Sequence, residues 1–246
     1  MLNKPTKYKK FLFSFFIVLT LLSGSSQAGT QFSSGELLNA IKNKNQEVII
    51  SMLKNASEKP DYVDSLSMFV IANVFLQLKD LETATFLFYA AQIRAAADLK
   101  FYKPIGKGGN SPSVALGAVK HQLGTVINPN IVKYPKAYAN VVNRLDEWLP
   151  VYKSNYDPGW QSKSQPDFDS LKTAIIEIKS KRIKTMREIS TLLNNKDYFD
   201  AFLIVQKQNF LLSGDRDKEA KESAEKIMRN IEEELGLNGF IALGKK

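Results

Sequence analysis

The sequence predicts an all-α protein, about eight helices after an N-terminal leader, paired as antiparallel hairpins or gathered into an irregular bundle. Three observations lead there. Apolar residues recur at helical spacing in almost every segment. No stretch alternates apolar and polar in the manner of a strand. The breaks between periodic segments carry proline, glycine, asparagine and aspartate, the residues that end helices and make corners.

The leader comes first. Lys4, Lys7, Lys9 and Lys10 form a positive region ahead of the apolar run Phe11 to Leu22. Ser26 and Ala28 then supply small residues at the minus-three and minus-one positions of a cleavable signal. The apolar run is shorter than the ~18 residues a spanning helix needs, so cleavage after Ala28 is expected and a permanent membrane anchor is not. The expected location is the periplasm or the exterior. With no cysteine in the chain, a lipid-modified anchor is excluded.

Ser33 or Ser34 can cap a first short helix through Leu37, Leu38 and Ile41. A second carries Val48, Ile49, Met52 and Leu53 and stops before Pro60. Asp61 opens the next, with Leu66, Phe69, Val70, Asn73, Val74 and Leu78 in helical register. Lys79-Asp80 reads as a tight corner, and Leu81 to Leu99 as a helix rich in alanine and aromatic residues. Residues 100 to 112 are the clearest break. Helix resumes at Ser111-Pro112 and ends near Asn128-Pro129. Pro135 begins another with Tyr138, Val142, Leu145 and Trp148. Pro150 and the turn Tyr156-Asp-Pro-Gly-Trp160 interrupt it. Leu171, Ile175, Ile178, Ile183, Met186, Ile189 and Leu193 mark a long amphipathic helix of about seven turns. An apolar partner follows from Asp197 to Leu212. A last helix shows Ala220, Ala224, Ile227, Ile231 and Leu235, with ion pairs expected at Lys221–Glu225 and Arg229–Glu233 and a stop at Gly236.

Residues 65 to 98 resemble a single tetratricopeptide hairpin. Met68, Ile71-Ala72 and Phe75 stand at the large, Leu-Gly and Tyr positions of that repeat's first helix. Ala84 and Phe88 match the Ala-x3-Phe of its second, and Ala91 lies next on the same face. The resemblance implies close helix approach at the two alanines, with the phenylalanines filling the space alongside. The closing proline is absent, and only a vague echo recurs at Asn195 to Ala201. An ordinary antiparallel helix pair is the alternative. The resulting organisation is a signal at 1–28, a helical part at 29–150, a connecting loop at 151–166 and a C-terminal helical part at 167–246.

Composition removes whole classes of chemistry. Zero cysteines rule out thiol catalysis, thiolate metal sites and disulfides, which a chain this long does not need for a core. His121 is the only histidine, so a multi-histidine metal site is impossible and any Ser-His-Asp triad must use it. No metal or cofactor is expected. The formal charge of +9 falls to +5 once the four leader lysines are removed, a moderate attraction for acidic partners.

Four features remain as candidate sites. Lys103, Lys107, Gly108, Gly109 and Ser111 surround the glycine loop before a helix start, where free N–H groups could hold an anion. The Gly-Lys-Ser/Thr ending of a phosphate-binding loop is missing, and the alternative is a plain connector. His121 lies near Gly117 and Gly124, which could leave room for a substrate; the bland alternative is a packed or surface histidine. Trp160 on its stiff turn could form an aromatic platform or fold back against the seam between halves. Lys179, Lys181, Arg182, Lys184 and Arg187 spread around their helix and read as a solvated face, not a nucleic-acid surface. Together these point to an exported helical protein that binds another protein, with an inhibitor or immunity-type partner as one form. Phe75, Tyr89, Gln92, Arg94 and Trp160 are the expected interaction surface. The alternatives are an envelope hydrolase using His121 with a carboxylate, or a binder of a small anionic or sugar ligand or of an anionic envelope component.

Overall fold

The computed structural model describes residues 36, 39, 40, 42, 43, 45–105, 111–152, 156–163, 167–211 and 215–237. The leader, most of the first short helix and the loop at 106–110 lie outside them. Of the described residues 79% are helical, in eight α-helices and no strand. They are α1 (Gln46–Glu58), α2 (Ser65–Gln77), α3 (Leu81–Phe101), α4 (Pro112–Ile131), α5 (Pro135–Glu147), α6 (Phe168–Asn194), α7 (Lys196–Phe210) and α8 (Lys218–Glu234). A single 3-10 turn, Pro60–Tyr62, joins α1 to α2. The all-α class and the helix count expected from periodicity are both present.

Capping side chains fix where the helices begin. The Asp64 carboxylate accepts from the Ser67 amide at 2.8 Å, and Asp80 from the Thr83 amide at 3.0 Å. Asn195 and Asp217 do the same for α7 and α8. The corner between α2 and α3 is a Schellman turn. The Asp80 amide donates to the Phe75 carbonyl at 3.0 Å and the Lys79 amide to Leu76 at 3.2 Å. Lys79 takes a φ of 65°, a conformation that suits glycine. Lys79→Gly is therefore expected to raise the unfolding free energy by about 1 kcal/mol in a urea titration. An unchanged or lower midpoint would refute the strain.

The hairpin forms as its residues require. Met68, Ala72, Ala84, Phe88 and Ala91 are all buried, and Phe69 meets Phe88 edge-on at 6.0 Å. Phe75 is only half-buried. α3 lies at the centre, touching α2, α4, α5 and α6. Leu116, Val119, Leu123 and Ile127 of α4, and Tyr138, Val141 and Leu145 of α5, complete the core around it. Ile183, Met186 and Leu193 of α6 join the same cluster. α7 and α8 build a smaller one with α6 from Leu192, Tyr198, Ala201, Ala224 and Met228.

Three local expectations need correction. α4 runs through Pro129 to Ile131. Pro129 brings no N–H and its ring crowds the preceding turn, a cost offset by the fully buried Ile127 and Ile131, which anchor the final turns. The Asn130 side chain also donates to the Val126 carbonyl at 2.7 Å. On α8 the buried stripe passes through Ala224, Met228 and Glu232, leaving Ile227 and Leu235 exposed. α8 packs chiefly on one helix, α7, and the face turned toward it follows the i, i+4, i+8 row of Ala224, Met228 and Glu232. Lys221–Glu225 pair at 3.8 Å, whereas Arg229 and Glu233 form no ion pair among the described residues.

Candidate functional site

Two polar arrangements are built by the fold, one buried and one open. The buried one starts from Arg94 and Asp98, one turn apart on α3 and both fully enclosed. A guanidinium needs acceptors when removed from water. Here Nη1 donates to the Val63 carbonyl, and Nη2 to Asp61 at 2.8 Å and Val151 at 2.6 Å. The guanidinium carbon lies 4.9 Å and 5.1 Å from the ring centres of Tyr152 and Tyr156. Those two hydroxyls each donate to an oxygen of Asp98 at 2.8 Å. Close by, the Trp160 indole N–H donates to the Tyr102 carbonyl at 2.6 Å.

Burial is the main force on these titrations. It pushes the Asp98 carboxyl up to about 6, against the opposing pull of Arg94 and the two tyrosine hydrogen bonds. It also raises Asp64, against the Ser67 hydrogen bonds and Arg94, and carries Tyr152 and Tyr156 well above their ordinary value. Asp98 is too enclosed to meet a substrate. What the cluster does is pin the segment after α5 and the 3-10 turn onto the central hairpin.

Several expected surface residues are therefore interior. Arg94 is 0% exposed and serves three backbone carbonyls, so it is not available to a partner. Gln92 is buried and accepts from Arg182 at 3.1 Å. Tyr89 is half-buried with its hydroxyl donating to Asn128 at 3.0 Å. Trp160 folds back against the core, which leaves no free aromatic platform. Its neighbours pair antiparallel with the chain near Lys103, through an isolated bridge between Pro104 and Ser162.

The other candidates stay apart. Lys103 is exposed. Lys107, Gly108 and Gly109 lie outside the described residues. Ser111 stands at the N-cap of α4, but its hydroxyl meets Ser113 at 3.0 Å and caps no backbone amide. His121 is exposed on α4 and forms no ion pair among the described residues. Among those residues, no three His, Asp or Glu side chains gather in a way that could hold a metal ion, and no helix is long and apolar enough to cross a membrane.

The open arrangement is a groove of about 600 Å³. Its floor is one face of α6, where Ile176, Lys179, Ser180, Ile183, Lys184 and Arg187 follow the three-four spacing of a helical stripe. Asp146 and Leu149, at and just past the end of α5, form one wall; Leu235 and Leu237, just past α8, form the other. Arg187 pairs with Asp146 at 2.5 Å, and Lys179 donates to the Asp146 backbone carbonyl. Gly236 takes a φ of 65° and turns the chain so that Leu237 reaches the groove. Three of the five clustered cations thus share one face, while Lys181 and Arg182 point elsewhere.

No protein-family model, curated protein or solved structure matches this chain. The likeness to a tetratricopeptide hairpin accordingly rests on the residues of α2 and α3 alone.

Proposed function

We propose that this is an exported helical protein that acts by binding another protein through the groove on α6. The observation that carries the reading is the groove itself. Ile176 is 50% exposed, Leu149 38% and Leu235 44%, beside Lys179, Lys184 and Arg187. Apolar side chains held open to water among fixed charges are a common signature of an interaction surface. The reading of export rests on the leader sequence.

Affinity capture tests it, using a tag placed after Lys246 in cells that produce the protein. The recovered chain is expected to lack residues 1–28 by mass and to bring down one stoichiometric protein. Ile176→Asp, at an exposed position that leaves the core intact, is expected to lose that protein while keeping its helical circular dichroism. Equal recovery with Ile176→Asp would remove the groove from the reading, and a full-length chain would remove export.

A further inference from the structure

We infer that the groove on α6 receives this chain's own tail, residues 238–246, as an internal occupant that a partner must displace. The displacement rests on the protein-binding reading above; the docking stands without it. Position is the first reason. Leu237, the last described residue, lines the groove and packs against the cluster that contains Leu192. The chain therefore leaves α8 at the Thr191 end of the floor and is already at the groove wall when the tail begins. Length is the second. The floor runs from Ile176 to Thr191, about 22 Å at ~1.5 Å per residue. The stretch from Leu237 to Leu243 spans about 20 Å when extended at ~3.3 Å per residue, nearly the whole floor.

Chemistry is the third. α8 is strongly charged, but from Leu235 to Gly244 the chain carries no charge, and Phe240, Ile241 and Leu243 are large and apolar. The groove offers them exposed Ile176, Leu149 and Leu235, with Ile183 buried in the core beneath. Docking removes both sets of apolar surface from water. The lining charges favour neither sign. Arg187 pairs with Asp146, Lys179 donates to the Asp146 backbone carbonyl, and Lys184 and Glu188 are opposite charges one turn apart on α6. An uncharged segment lies across this balanced set without burying an unmatched ion, and Lys245 and Lys246 fall past the far end of the floor. A segment tethered at the wall of its own site also acts at ~millimolar effective concentration, an advantage that a free partner must overcome.

A chain without cysteine allows a direct test. Ser180→Cys puts a single thiol on the exposed groove floor, and its rate of reaction with a maleimide is measured in the full chain and in a chain ending at Leu237. The full chain is expected to react about tenfold more slowly, the ratio for a tail docked about nine-tenths of the time. Ser113→Cys on exposed α4 is expected to react equally in both. Phe240→Asp combined with Leu243→Asp, in the otherwise full chain, is expected to restore the fast rate at unchanged helicity. Equal Ser180→Cys rates in the two chains overturn the docking, as does slowing that survives the two aspartates. Slowing that fades on dilution marks the tail of a second copy and overturns its assignment to the same chain. In the capture experiment, the chain ending at Leu237 is expected to bind the partner about tenfold more tightly. Unchanged affinity overturns the tail as a competitor while leaving the partner in place. No partner from either chain overturns the displacement and the function it rests on, whereas the thiol rates decide the docking by themselves.

Discussion

Arg94→Met is expected to lower the unfolding free energy by about 4 kcal/mol. Methionine fills much of the same length but has no donor, so the Asp61, Val63 and Val151 carbonyls lose a shared partner inside the protein. Each buried polar group left unsatisfied costs ~1–3 kcal/mol, and breaking a buried charged network typically costs ~3–5. Replacing a buried charge with an apolar residue is near neutral only when its partners are replaced too, and backbone carbonyls cannot be. Arg94→Lys should recover only part of the loss, because one ammonium cannot reach three carbonyls and also lie across two tyrosine rings. Urea unfolding of the three proteins decides it. A loss below about 1 kcal/mol for methionine would show that the clamp is incidental.

Stability is expected to fall as the pH rises from 4 to 7, by about 3 kcal/mol on account of Asp98 alone. Its carboxyl is raised from 3.8 to about 6 in the folded chain. Between those values the folded state holds a proton that the unfolded state has released, so raising the pH favours unfolding. The contribution is complete below about pH 4 and is lost as the pH passes 6; each pH unit between the two values is worth ~1.4 kcal/mol. Asp64 and Asp61 are raised by burial as well and act in the same direction. Comparing Asp98→Asn with the wild type across this range isolates the one group. Parallel stability curves for the two proteins would contradict the assignment.

The helices are legible in the sequence because caps and apolar spacing are local. Asp64, Asp80, Asn195 and Asp217 each cap the helix they precede, and Gly236 ends α8 as its type suggests. What cannot be read there depends on elements far apart in the chain. The groove joins α6 to walls at Leu149 and at Leu235, and no local pattern records that meeting. Arginine is ordinarily exposed, which is why Arg94 reads as a surface residue. Yet the sequence holds a contrary signal. Arg94 and Asp98 are a pair of opposite charges spaced four apart in a segment otherwise built mostly from alanine, aromatic and aliphatic residues. Such a pair within an apolar helix marks a buried network, and the matching spacing of Tyr152 and Tyr156 is its counterpart. Trp160 shows the converse, a rigid turn whose alternative of folding back is already open in the sequence.

The central place of α3 carries a consequence for how this molecule keeps its shape. In a stack of hairpins each unit leans only on its neighbours, and units can be added or dropped almost independently. Here one helix is the axle for four others, α2, α4, α5 and α6, so the chain's first half and its longest helix draw on a common reserve of packing. Loosening any spoke loosens the hub. The α7–α8 pair, joined to the remainder through α6, is the part able to yield without unseating the wheel.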